Sequence, residues 1–194
     1  MGLLGLATRV AAADLDETAY LLPDPAVAAI NVAAAKARAT QPQADEVVLA
    51  ADTLVVERGE VLAKPVDAAD ARRMLQTLRG RPHQVLTGVA LCAAGQRQWC
   101  GAVSTTVVMR AYTEPEIEDY IARGEPFDKA GGYAVQDQVF RPVERLDGCY
   151  LNVVGLPLCA VAAGLAALGT DVERAGPPPC RYCHAGAAVV SISG

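Results

Sequence analysis

Ten residues, Val47 to Val56, form an apolar run broken only by Asp52 and Thr53. Length and β-branched content make this run a buried strand. A carboxylate in its middle constrains everything around it, because an unpaired buried charge costs several kcal/mol. Asp52 must therefore meet a cation, meet a hydrogen-bond donor, or open into a cleft. Glu57-Arg58-Gly59-Glu60 reads as a turn, and a return strand would carry Lys64, fixed ahead of Pro65, back towards Asp52. On these residues alone a structural ion pair and a functional one both stay open.

A chain of 194 residues suits one domain with room for a real core. Its 52% apolar content excludes a disordered or fibrous class. The formal net charge of -5 argues against a nucleic-acid partner, since a broad basic face needs a cationic surplus. A small anionic ligand needs only a few local cations. Of the seventeen cationic residues fourteen are Arg, and the three Lys are Lys36, Lys64 and Lys129. A lysine persists in such a chain where a compact point charge on a flexible stem serves better than a planar fork.

The N-terminus lacks the basic region of a secretory signal. Leu151 to Thr170 is uncharged, but Asn152, Gly155, Pro157 and Gly164 interrupt it and make it a buried helix rather than a membrane span. A cytoplasmic location follows, and the six cysteines are expected to be mostly reduced.

Leu3, Leu4 and Leu6 resemble the end of a helix, and Arg9 to Ala13 reads as a short strand. The acidic turn Asp14-Leu15-Asp16-Glu17-Thr18 follows, and a solvated loop or a hard-cation site would each explain it. Asp24-Pro25 starts a helix over Ala26 to Ala39 with Lys36 near its end. There a cation suits the helix dipole or reaches a phosphate. Asp67 caps a helix from Ala68 to Arg79 whose Met74 belongs to core. Gln84 to Ala93 and Gln96 to Tyr112 read as a hairpin, with His83 at its start in a surface or capping role.

Thr113-Glu114-Pro115-Glu116 has the form of a capping box and opens a helix through Ala122. Asp128 and Lys129 then precede Gly131 and Gly132, where backbone can approach a ligand closely, and a short strand carries Gln136. Phe140 to Leu146 is another strand, Asp147-Gly148 a turn, and Leu156-Pro157 starts a helix that stops at Gly169. Residues 170 to 194 read as an unstructured tail. Cys180, Cys183 and His184 in it have the spacing of haem attachment or part of a zinc site.

In this order, Asp14 to Thr18, Ala35-Lys36-Ala37, Ala51-Asp52-Thr53, Leu62-Ala63-Lys64-Pro65, His83 to Gly88, Asp128 to Gly131, Tyr133 to Gln136 and Asn152 to Leu158 resemble the Maf family of nucleoside triphosphate pyrophosphatases. The resemblance covers residues 3 to 169, so that 1–169 reads as one Maf-like domain. It implies an α/β fold like that of the inosine triphosphate pyrophosphatases, a mixed twisted sheet flanked by helices around a central cleft. It also implies hydrolysis of a nucleoside triphosphate to monophosphate and pyrophosphate with Mg2+ or Mn2+. On this analogy Glu17 and Asp52 hold metal or activate water, while Lys36, Lys64 and Lys129 neutralise phosphate. Lys64 belongs to the catalytic set, Gln136 contacts the ligand, and Asp128 orients Lys129. The Ala-Asp-Thr and Asp-Lys-Ala-Gly forms resemble the branch acting on dTTP and UTP. A homodimer stays open.

Two departures qualify the resemblance. Family members carry a Ser-x-Ser-Pro-Arg-Arg loop that grips the phosphates, and no such sequence occurs in these 194 residues. The chain thus reads as truncated at its N-terminus, and each lost donor is expected to cost ~10² to 10³ in rate. The alternative expectation is a catalytically impaired remnant that binds a nucleotide or a partner. Asp137 stands where the family commonly has glycine.

Overall fold

The computed structural model describes residues 7–170, apart from Asp14, Leu21, Gln41, Asp45 and Arg97, together with the backbone of 190–192. Expectations for Leu3 to Leu6, for Asp14 and for Cys180, Cys183 and His184 fall outside these residues.

A six-stranded sheet is built on β1 (Val47–Glu57), β3 (Pro82–Ala93) and β4 (Gln98–Met109). The short strands are β2 (Glu60–Leu62), β5 (Val143–Asp147) and β6 (Val190–Ile192). The order is β2-β1-β3-β4-β5, with β6 also on β4. Arg58 and Gly59 turn β1 into β2 with φ of 50° and 85°, the paired left-handed conformation of a type I′ two-residue hairpin. The hairpin β3–β4 is the one the Val- and Thr-rich runs predict, in register from Pro82–Val108 to Cys92–Gln98.

The α/β class and the helix-flanked sheet hold, although each pairing among the described strands is antiparallel rather than mixed. The cause lies in the connection. β2 spans three residues, so the chain leaves and re-enters the sheet at the end where β1 finishes, and β3 runs back along β1. A second difference is Arg9 to Ala13, which forms no strand. Its side chains are largely exposed, Val10 fully so, and its specific contact is the Arg9–Glu46 ion pair at 2.6 Å.

Helices cover both faces. The first, α1 (Pro25–Thr40), starts as Asp24-Pro25 predicts, with Asp24 Oδ1 accepting from the Ala26 N–H at 2.8 Å. Alanines make its buried stripe, and Ile30, Ala33, Ala34 and Ala37 pack on Ala90, Cys92, Cys100 and Ala102. The opposite face splits in two. At one end Ala160, Val161 and Leu165 of α5 (Leu158–Ala167) cover Val89, Leu91 and Val103. At the other, α2 (Ala68–Leu78) and α3 (Glu114–Ala122) enclose Val85, Val107, Tyr112, Tyr120 and Phe140. Both N-termini are capped as the sequence predicts. Asp67 Oδ1 accepts from Asp70 N–H at 2.8 Å, and Thr113 N–H donates to Glu116 Oε2 at 2.7 Å.

Leu151 to Thr170 resolves into α4 (Tyr150–Val154) and α5, and among the described residues no helix is long and apolar enough to cross a membrane. Cys92, Cys100, Cys149 and Cys159 form no disulfide.

Candidate active site

The antiparallel frame puts the middle of β1 at the floor of a cleft of about 640 Å³. Its walls come from segments far apart in sequence. The short helical turn Glu17–Tyr20 contributes Glu17, α1 contributes Lys36, and the stretch after β2 contributes Lys64. The loop after α3 contributes Asp128, Lys129 and Gln136, and the end of α4 contributes Val153, Val154 and Gly155. All six residues expected to act on a nucleotide thus face one space: Glu17, Lys36, Asp52, Lys64, Lys129 and Gln136. A second cavity of about 490 Å³ lies beside the opposite end of β1 and contains none of them.

Asp52 resolves its burial problem with Lys36 rather than with Lys64. Its side chain is 11% exposed, and Oδ1 accepts from Lys36 Nζ at 2.8 Å. The same ammonium lies 2.8 Å from Glu17 Oε1. Burial works against the Lys36 charge, but the hydrogen bonds it donates to Asp52 and Glu17 outweigh it and raise the ammonium pKa. Lys36 is therefore a committed cation holding two carboxylates together.

On the far wall Lys129 bonds Asp128 and donates to the Glu125 carbonyl at 2.7 Å. The Lys129 hydrogen bond and, more weakly, the Lys64 charge hold the Asp128 carboxyl below its ordinary range. Lys64 is exposed within the cleft, and so is Gln136. Gly131 and Gly132, expected to bring backbone close to a ligand, instead let the loop press on the protein. A Cβ would sit 2.9 Å from Val55 Cγ1 at Gly131 and 3.1 Å from Pro65 Cγ at Gly132, with φ of 69° at both. Gly131 N–H also bonds the Ala63 carbonyl at 3.1 Å, tying the Lys129 loop to the Lys64 segment.

Sequence reasoning missed the polar frame beneath the cleft. Thr87 donates to the Asn152 carbonyl at 3.0 Å, so the Thr53 hydroxyl, 2.9 Å away, donates to Thr87. Asn152, fully buried, donates to the Val85 carbonyl and to Thr105 Oγ1, both at 2.9 Å. The signal was present: Asn152 is the one strongly polar residue in an apolar stretch, read there only as an interruption. His83 is likewise buried at 4% exposure rather than at the surface. Its Nε2 pairs with the Tyr133 hydroxyl at 2.7 Å, and burial pushes its pKa down to about 4. Asp137 holds Arg123 at 3.0 Å and caps the Val139 and Phe140 N–H groups, which accounts for an acid at that position.

The donor set suits a hard divalent cation. Glu17 and Asp52 offer carboxylate oxygens, already arranged about a positive charge, and magnesium needs only one or two carboxylates when phosphates and water complete its shell. The lysines supply the opposite requirement, positive charge facing the same space.

The family described as Maf-like protein matches residues 1–168. A dTTP/UTP pyrophosphatase of Thermomicrobium roseum is 53% identical over 140 residues, 70% of this chain and 64% of that protein. The chain thus aligns with somewhat less than two thirds of that relative's length. The dTTP/UTP pyrophosphatases of Anaeromyxobacter dehalogenans and Citrifermentans bemidjiense are 46% and 44% identical. Those alignments cover 87% of both chains in the first case, and 85% of this chain and 86% of the relative in the second. With its lysines and carboxylates brought into one cleft in the order the motifs predict, the chain belongs to the Maf family.

Proposed function

We infer that this cleft hydrolyses dTTP and UTP between the α and β phosphates, giving the monophosphate and pyrophosphate. The convergence of all three lysines of the chain on one cleft with Asp52 and Glu17 carries the reading. A triphosphate is a dense polyanion, so catalysis consists mainly of charge neutralisation and the placing of an attacking water. The names of the relatives supply the base preference.

Lys36, Lys64 and Lys129 bind phosphate oxygens, and Asp128 holds Lys129 in its place beside them. Glu17 and Asp52 would hold the divalent cation, Mg2+ or Mn2+, whose charge adds to that of the lysines when it is bound. Asp52, which lines the cleft, takes a proton from the attacking water. The water oxygen bonds to the α phosphorus as the bond to the bridging oxygen breaks, and pyrophosphate leaves with that oxygen. Gln136, exposed in the same cleft, contacts the ligand. Purified protein with UTP or dTTP and Mg2+ should give monophosphate and pyrophosphate in equal amounts. Diphosphate with inorganic phosphate, or nucleotide binding without turnover, would contradict the reading.

A further inference from the structure

The carboxylates assigned to a divalent cation already hold a cation belonging to the chain. Lys36 Nζ sits 2.8 Å from Glu17 Oε1 and 2.8 Å from Asp52 Oδ1. Among the described residues no group of three or more Asp, Glu, His or Cys side chains is placed to hold a metal. Two carboxylates against one ammonium leave a single negative charge. A divalent ion added beside that ammonium would meet like charge at close range in a partly buried setting, where screening is weak.

Resting on the pyrophosphatase reading, we propose that Lys36 is the resident counter-ion of the Glu17–Asp52 pair. It must leave them for a divalent cation to bind, so that metal and triphosphate enter as one coupled event. The backbone of α1 does not supply the movement. Ala33 and Ala37 are fully buried on either side of Lys36, and the Lys36 carbonyl accepts from Thr40 Oγ1 at 3.0 Å. The movement belongs to the flexible four-carbon stem.

Once displaced, the ammonium needs another anion, and the acids nearest the facing wall are engaged. Asp128 is bound to Lys129. A triphosphate brings the missing negative charge into the same space. Each ligand therefore removes an obstacle to the other: the nucleotide receives Lys36, and the freed carboxylates receive the metal. Such coupling is reciprocal.

The test is equilibrium binding of Mn2+, read by electron paramagnetic resonance, which needs no turnover. Wild-type protein should bind Mn2+ weakly alone and at least about fivefold more tightly with saturating α,β-methylene-UTP, the low end of ordinary coupling between sites. Lys36→Met should tighten metal-only binding by about the same factor and shrink the effect of the analogue. Lys129→Met removes the same charge from the same cleft without touching the pair, and should change metal-only binding less than twofold. Lys36→Gln repeats the measurement should the methionine variant fold poorly. Equal Mn2+ affinity in wild type with and without the analogue would overturn the proposal, as would Lys36 variants that bind Mn2+ no more tightly than wild type. A protein that binds as described but releases no pyrophosphate would overturn the activity and leave this coupling standing.

Discussion

Gly88 lies against Ala29 so closely that a Cβ on Gly88 would fall 2.3 Å from the Ala29 carbonyl carbon and oxygen. Gly88 is also the residue paired with Asp52 across the β1–β3 ladder. Here α1 rests directly on the sheet, and two turns further along it carries Lys36 to the Asp52 carboxylate. Gly88→Ala must lift the helix or bend the strand. It should cost about 1–3 kcal/mol in urea unfolding. It should also weaken nucleotide binding, because the helix that presents Lys36 moves; an unchanged unfolding midpoint would disprove the contact.

Asn152 joins α4 to two strands, through the Val85 carbonyl and the Thr105 hydroxyl. Its replacement by alanine takes the amide donor from the Val85 carbonyl and leaves Thr105 Oγ1 with the Cys149 N–H at 3.0 Å. A loss of about 1–3 kcal/mol is expected. For a domain of this size that lowers Tm by roughly 2–4 °C per kcal/mol. Thermal unfolding of Asn152→Ala measures it.

His83 ties stability to pH. Its folded pKa of about 4 lies below the ordinary value of 6.5 because burial penalises the charged ring. The unfolded chain therefore binds more protons between these values, and stability falls as pH drops from 6.5 towards 4. The loss from this group is about 3 kcal/mol at pH 4 relative to pH 7. Urea unfolding at a series of pH values should show it in wild type. His83→Gln, which keeps a polar group facing Tyr133 but cannot titrate, should lack that component.

Asp137 combines an ion pair to Arg123 with hydrogen bonds from the Val139 and Phe140 N–H groups at 3.0 and 2.5 Å. Asp137→Gly removes all of them and adds backbone freedom. Destabilisation of about 1–3 kcal/mol is expected, with the KM for UTP raised because the loop also carries Gln136. A glycine variant as stable as wild type would show that the acid is incidental.

What could be read from the sequence was whatever depends on local pattern. Asp24-Pro25, Asp67 and the Thr113 box each start the helix they predict, and the β3–β4 hairpin follows from its Val and Thr runs. Grouping Lys36, Lys64 and Lys129 with Asp52 came from ordered motifs, and the cleft collects them. Pairing within the cleft was not legible. Sequence proximity favoured Lys64 as the partner of Asp52, whereas the close packing of alanine-rich α1 on Gly88 brings Lys36 there instead. The burial of His83 was hidden for the same reason: its partner Tyr133 is fifty residues away, and nothing local announces it.

Steady-state kinetics of wild type and Asp52→Asn with UTP and Mg2+ test most directly the proposal that Asp52 acts in a pyrophosphatase cleft. The amide keeps the shape while removing the charge and the proton acceptor. Release of pyrophosphate by wild type, with kcat lowered about 10²- to 10⁴-fold in the variant, is the predicted result. Equal pyrophosphate release by the two proteins would contradict it.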